Sequence, residues 1–218
     1  ILLMNNKKIS ILCPTAKRPN EFNEMVSSAI KQSKKPGQLE FCLYLDQKDN
    51  SYDDLIKNFP PNTLKVIVGP KMWLSTMYNS LLTVATGDLL MWGGDDIVFV
   101  TADWDEKVID CFSSFKDPLY MVFVNDLTYG AGTWANIGFV HKKWIELFGY
   151  LFTPHIPDNG FDAWITSITK KINRAYYLED VIIEHRQYRQ GKATIDSTYR
   201  QRLQKHKIYN PLFLYKSL

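Results

Sequence analysis

Four short apolar runs, residues 9–13, 41–45, 64–68 and 89–92, punctuate the first hundred residues, and each ends in a turn-former or a carboxylate. The stretches between them carry apolar residues at helical spacing. Phe22, Met25, Val26, Ala29 and Ile30 form one such face, with Asn20 placed to cap it and Pro36-Gly37 to stop it. Ser51 opens a short helix with Asp54 in its first turn, and Pro60-Pro61 closes it. Leu74, Met77, Tyr78, Leu81 and Ala85 mark a third helix. Strands that alternate with helices build a mostly parallel sheet with helices on both faces, because each crossover must pack back onto the sheet. The pattern is looser beyond Asp96. A helix is expected over residues 105–115, a strand over 120–124, short and long helices around 144–148 and 161–172, and a last strand over 176–183.

Composition limits what such a sheet can serve. The chain has 218 residues, 45% of them hydrophobic and 22% charged, which suits one well-buried domain. We read a single domain with a core over residues 8–188 and a basic, partly apolar tail over 189–218. Its size is near that of a minimal catalytic core, which leaves room for a partner domain outside it. The net charge of +3 is too small to imply nucleic-acid binding by itself. Cys13, Cys42 and Cys111 are widely spaced and odd in number, which argues against a disulfide framework and for a reducing, cytoplasmic setting. No apolar run approaches the ~20 residues needed to span a membrane.

The chemistry is densest where the fourth strand ends. Leu89 to Trp92 stop abruptly at Gly93-Gly94-Asp95-Asp96. In an open α/β sheet, this carboxyl edge is where ligands bind. Adjacent carboxylates repel unless a cation or hydroxyl donors neutralise them, and such oxygen ligands suit Mg²⁺ or Mn²⁺ shared with substrate phosphates. Alone, the pair reads equally well as a turn. Pro14, Thr15 and Arg18 after the first strand, Asp46 after the second, and Gly69-Pro70-Lys71 after the third all fall on the same edge.

In this order the segments resemble the GT-A glycosyltransferases, especially the family 2-like enzymes that use nucleotide-diphosphate sugars. The matching parts are Ile11 to Pro19, Leu45-Asp46, Tyr78-Asn79-Ser80 leading to Gly87-Asp88, the acidic motif, Gly160-Phe161-Asp162-Ala163-Trp164, and Ile183-Glu184-His185. The likeness spans roughly residues 8 to 188 and is nearest in character to the small enzymes of large viruses and phages. It implies an α/β GT-A, Rossmann-like fold and metal-dependent transfer of a hexose or pentose, most readily from a UDP-sugar, to an acceptor hydroxyl.

The resemblance also implies roles. Asp96, Asp95 and His185 would hold the divalent metal, Mn²⁺ or Mg²⁺, with Asp95 alternatively near the ribose. The first motif position is Gly94, a departure from the family's acid. Pro14, Thr15, Arg18 and Asp46 would hold the nucleoside, with Asp49 as an alternative to Asp46, and Lys71, Tyr78 and Asn79 would flank base and diphosphate. Asp162 would be the general base, with Asp158 its rival. Arg186, Arg189 or Lys192 would close over the diphosphate, and Trp134 or Asp126 would face the acceptor. His141, His155 and His206 have no evident partners for chemistry. A glycan, a protein, a lipid-linked sugar or a modified nucleic-acid base all fit as acceptor.

Two other classes compete. A sugar-phosphate nucleotidyltransferase needs a glycine-rich loop after strand one, where this chain has Pro14-Thr15-Ala16-Lys17-Arg18-Pro19. A non-catalytic module that binds a nucleotide sugar or a glycan would fit the loss of the acid at Gly94. A dinucleotide-dependent dehydrogenase is disfavoured, because no Gly-x-Gly-x-x-Gly follows strand one.

Overall fold

A computed structural model describes residues 7–60, 63–128, 131–156, 160–186 and Gly191. Along the chain run β1 (Ile9–Pro14), α1 (Pro19–Gln32), a 3-10 turn (Pro36–Gln38), β2 (Leu39–Asp46), α2 (Asp53–Asn58), β3 (Leu64–Gly69), α3 (Leu74–Leu81) and β4 (Leu89–Trp92). After them come β5 (Ile97–Phe99), α4 (Trp104–Ser114), β6 (Met121–Asn125), β7 (Gly138–His141), α5 (Lys143–Phe148), α6 (Phe161–Lys171) and β8 (Ala175–His185). Among the described residues the strands form one sheet in the order β3-β2-β1-β4-β7-β6-β8-β5. β1 pairs in parallel with β2 and β4, β2 with β3, and β6 with β8. β7 runs antiparallel to β4 and β6, and β5 antiparallel to β8. The sheet is therefore mostly parallel, as the alternation predicts, with two reversed strands.

Both faces of the sheet are covered, so the central strands need apolar side chains at successive positions. Ile9, Ile11 and Cys13 point to one side, into a core with Phe22, Met25 and Val26 of α1 and Trp104 and Val108 of α4. Leu12, Leu90 and Trp92 point to the other, against Tyr78 and Leu81 of α3 and Phe161 and Ile165 of α6. Each large side chain so buried contributes about 1.5–3 kcal/mol. The two deepest indoles keep their N–H groups paired: Trp92 donates to the Ala135 carbonyl at 2.9 Å and Trp104 to that of Ala29 at 3.0 Å.

Three helix boundaries differ from the sequence expectation. α2 starts at Asp53 with Tyr52, rather than Ser51, at the cap position. α1 starts at Pro19, with Arg18 rather than Asn20 at the cap position. Proline's fixed φ and missing N–H suit the first helical position, and this overrides the asparagine behind it. α3 ends at Leu81, because Leu82, Thr83 and Val84 turn more tightly, their N–H groups donating to the carbonyls three residues back. Cys13 and Cys42 are buried free thiols. Among the described residues, no helix is long and apolar enough to cross a membrane.

The pairing directions decide where chemistry gathers. β1, β2, β3, β4, β6 and β8 all finish at one edge of the sheet. α1 and α3 start at that edge, because each leaves a strand that finishes there. α6 starts there too, because it must run back before β8 can begin.

Candidate active site

The turn after β4 sends its two carboxylates in different directions. Asp95 is buried. Its Oδ1 accepts from Arg18 Nη1 at 3.1 Å and its Oδ2 from Thr15 Oγ1 at 2.5 Å. Thr15 Oγ1 also lies 2.5 Å from the Tyr52 hydroxyl, which accepts from the Arg18 backbone N–H at 3.2 Å. Burial pushes the Asp95 carboxyl up, and the Asp96 charge pushes it further, to about 6, against the pull of Arg18 and Thr15. Tyr52 is a member of this network that the sequence did not reveal; it lies in no periodic pattern, and its partner Thr15 is 37 positions away.

Asp96 is half-buried. Its Oδ1 lies 3.3 Å from Nε2 of His185, and the two side chains are only 14% and 17% exposed. Backbone pairing enforces the meeting. Ile97, the first residue of β5, lies opposite His185. The Arg186 N–H donates to the Asp96 carbonyl at 2.8 Å, and the His185 N–H donates to the Asp126 carbonyl at 3.0 Å. Gly94 leaves space for this arrangement, because a Cβ there would collide with Asp96 Oδ1. A side chain at position 94 would have to push the Asp96 carboxylate aside.

A carboxylate oxygen and an imidazole nitrogen suit Mn²⁺, and adjacent ligands of an octahedral ion stand about 3 Å apart when each is about 2.1 Å from it. The Asp96–His185 spacing fits that test. Among the described residues, no group of three or more His, Cys, Asp or Glu side chains forms a ready metal cage. Each oxygen of Asp95 accepts one hydrogen bond, from Arg18 or from Thr15, so its carboxylate is turned toward those two residues while Asp96 meets His185. A two-ligand site completed by substrate oxygens and water is the usual habit of such ions.

The other predicted residues fall as follows. Pro14 is buried at the end of β1. Asp46 ends β2, and its carboxylate accepts from the Lys48 N–H at 3.0 Å. Asp49 accepts from the Lys17 N–H at 2.7 Å and from Ser51 Oγ at 2.6 Å. Burial raises its carboxyl, but these hydrogen bonds prevail and lower it. Its oxygens thus hold Lys17, whose φ is +56°, in a left-handed turn. Lys71 is exposed beyond β3 on the same edge. Tyr78 donates to the Gly93 carbonyl at 3.0 Å and so supports the acidic turn from below.

Asn79 is turned toward a loop. Its Oδ1 accepts from the N–H groups of Leu151 and Phe152 at 2.9 and 3.1 Å, and its Nδ2 donates to the Phe152 carbonyl at 2.8 Å. The amide ties down that loop. Asp162 sits in the first turn of α6, whose cap is Gly160, and its Oδ1 accepts from the Ala163 N–H at 2.8 Å. Arg186 pairs with Glu24 at 2.7 Å and Glu184 at 3.4 Å. His141 is buried, its Nδ1 accepting from the Lys143 N–H at 3.2 Å. Asp158, Arg189, Lys192 and His206 lie outside the described residues.

Among solved structures, this architecture is similar to the mannosyltransferase PcManGT from Pyrobaculum calidifontis in complex with GDP-Man and Mn²⁺. The TM-score is 0.62 at 15% identity, over 84% of this chain and 58% of that one. It is similar also to S. aureus TarS 1-349 in complex with UDP, with a TM-score of 0.64 at 15% identity over 81% of this chain and 59% of that one. The chain has the GT-A fold. It spans less than two thirds of the length of either neighbour, and it covers 36% of a longer TarS chain. No family model matches the sequence, and no curated protein matches it. At such identities the likeness concerns the GT-A scaffold, and the residues of the edge must carry the chemistry.

Proposed function

We propose that the chain is a metal-dependent glycosyltransferase that moves a sugar from a nucleotide-diphosphate donor, a UDP-sugar first, to an acceptor hydroxyl. The observation that carries the reading is the Asp96–His185 pair, a reachable carboxylate and imidazole 3.3 Å apart at the ligand-binding edge of a GT-A sheet. The neighbours bound to GDP-Man with Mn²⁺ and to UDP support the same donor class.

Each residue has a defined task. Asp96 and His185 hold a divalent ion, which when bound offsets charge on the leaving diphosphate. Asp95 keeps the acidic turn in place through Arg18 and Thr15, and Tyr52 completes that support. Pro14, Thr15, Asp46 and Lys71 lie along the edge where the nucleoside and its phosphates run. Asp162 takes the proton from the acceptor hydroxyl. The freed oxygen forms a bond to the anomeric carbon, and the bond from that carbon to the phosphate oxygen breaks with its electron pair leaving on the nucleoside diphosphate. Asp158 is the alternative base. The chain works as a single catalytic domain in a reducing, cytoplasmic setting, consistent with its free cysteines.

A turnover assay tests this. A set of UDP- and GDP-sugars is incubated with the protein and Mn²⁺, and release of free nucleotide diphosphate is followed with and without chelator. Metal-dependent release from one donor is expected, with D162N at least about a hundredfold slower in transfer at unchanged donor affinity. Nucleotide binding without any turnover on any donor would favour a non-catalytic module.

A further inference from the structure

We propose that Asn79 is a positioning residue for proton transfer. Acting through Phe152, it sets where the α6 turn that carries Asp162 stands relative to the acidic turn that carries Asp96. The inference rests on the glycosyltransferase reading of the same edge and assigns Asn79 to the acceptor side of it, away from the nucleotide.

Leu151 and Phe152 are fully buried and belong to no helix or strand. Their backbone groups therefore need partners from elsewhere in the chain. The Asn79 amide supplies three bonds at once. Its Oδ1 accepts from both N–H groups, at 2.9 and 3.1 Å, and its Nδ2 donates to the Phe152 carbonyl at 2.8 Å. A carboxylate in its place would set an oxygen against that carbonyl, because an ionised acid has no hydrogen to donate.

The ring of Phe152, so fixed, stands between the two sides of the site. On one side it meets the ring of Trp92, the last residue of β4, at 5.5 Å between centroids and that of Tyr78 at 5.3 Å, both edge-on. Tyr78 donates to the carbonyl of Gly93 in the acidic turn at 3.0 Å. On the other side Phe152 lies 4.2 Å from the ring of Phe161, which also meets Tyr78 at 5.7 Å. Phe161 is the first residue of α6 and Asp162 the second. The chain turns sharply at Gly160, whose φ is +103°, so the buried Phe161 ring anchors the start of the helix.

Close-packed rings pass a displacement on rather than absorb it. A shift of the Phe152 backbone would therefore move Asp162 against Asp96. A misplacement of about 1 Å at a reacting group costs on the order of a hundredfold in rate. The nucleotide side would be spared, because the acidic turn keeps its own bonds to Tyr78, Arg18 and Thr15.

The test uses the whole chain with Mn²⁺ and whichever UDP- or GDP-sugar releases nucleotide in a donor screen, water serving as the acceptor. Asp162 then takes a proton from water, whose oxygen replaces the diphosphate on the anomeric carbon. Parent, N79A, D162N and the double variant are compared, with nucleotide affinity measured by calorimetry. N79A is expected to lower kcat at least about tenfold, with nucleotide affinity within about threefold of the parent. In the D162N background the same change should alter kcat by less than about twofold, since a residue that acts through the base has nothing left to position. N79S, whose hydroxyl still accepts from one N–H, should fall between parent and N79A, and it replaces N79A in the cycle if the alanine variant does not fold. A loss of nucleotide affinity in N79A would place Asn79 against the nucleotide and overturn the inference. Unchanged kcat in N79A, or an equal loss in both backgrounds, would overturn it as well, with the donor reading intact. Failure of the parent protein to bind either nucleotide, or to release it from any donor, would overturn the donor reading. Unimpaired release by D162N would overturn the assignment of the base. The inference falls with either.

Discussion

The two edges of this sheet each bury a carboxylate, and they treat it in opposite ways. At the edge where β1 and β2 begin, Glu40 has no exposure to solvent. It pairs with the Lys8 ammonium and lies 3.1 Å from that of Lys65. It accepts from Ser10 Oγ, from the N–H and Oγ1 of Thr86 and from the Gly87 N–H. Burial raises its carboxyl, yet the bonds from Lys8, Ser10 and Thr86 overcome that and lower it to about 2. At the opposite edge, Asp95 has one guanidinium and one hydroxyl on it, with a second aspartate adjacent, and is pushed up. One edge brings its own cations and is finished as folded. The other sets one guanidinium against two adjacent acids, a balance that a bound divalent ion would shift.

This contrast predicts a ranking of effects. The largest is at Asp96. D96A should weaken metal-dependent nucleotide binding at least about a hundredfold, since it removes a direct ligand, and leave thermal stability near that of the parent. A nucleotide titration alongside a thermal melt checks both, and unchanged affinity would remove Asp96 from the site.

Glu40 should behave in the reverse sense. E40A should cost about 2–4 kcal/mol in urea unfolding, because buried donors lose their acceptor, with nucleotide affinity unchanged in the folded protein. Its pH dependence follows from the lowered carboxyl. The unfolded chain binds this proton near the ordinary value of 4.5 and the folded chain only near 2. The stabilisation is therefore complete above pH 4.5 and fades as pH falls from there to about 2, a contribution of about 3 kcal/mol. Stability curves of parent and E40Q should converge across that window; parallel curves would show that Glu40 carries no such linkage.

G94D tests the departure from the family motif. Its Cβ meets Asp96 Oδ1, so the new acid should displace the ligand and weaken nucleotide binding by roughly tenfold. Tighter binding would mean that the turn can accept a second metal carboxylate. Smallest is Y52F, which removes one hydroxyl from the Thr15–Asp95 network and should cost about 1 kcal/mol of stability. A loss as large as that of D96A in nucleotide affinity would make Tyr52 part of the site itself.

Much of the scaffold was legible because strands covered on both faces must be apolar at every position, as residues 41–45 and 89–92 are. β5 and β7 were not, being three and four residues long, too short to show a period. The helix start at Pro19 and the tight turn after Leu81 reflect local backbone demands that an apolar period does not encode. At the site, the order of segments along the chain located the edge, where Asp96 and His185 stand 3.3 Å apart. The separate fates of Asp95 and Asn79 were hidden, since their partners lie 77 and 80 residues away for Asp95 and 72 and 73 for Asn79. Whether a carboxylate faces a ligand or a guanidinium is decided by such long-range meetings.

The most direct measurement is calorimetric titration of the protein with UDP, with and without Mn²⁺, followed by GDP under the same conditions. The account predicts metal-dependent binding, tighter for UDP. Selectivity for GDP would change the donor and keep the site. Binding of neither nucleotide, with or without the ion, would contradict the account and leave Gly94-Asp95-Asp96 as a structural turn on a GT-A scaffold.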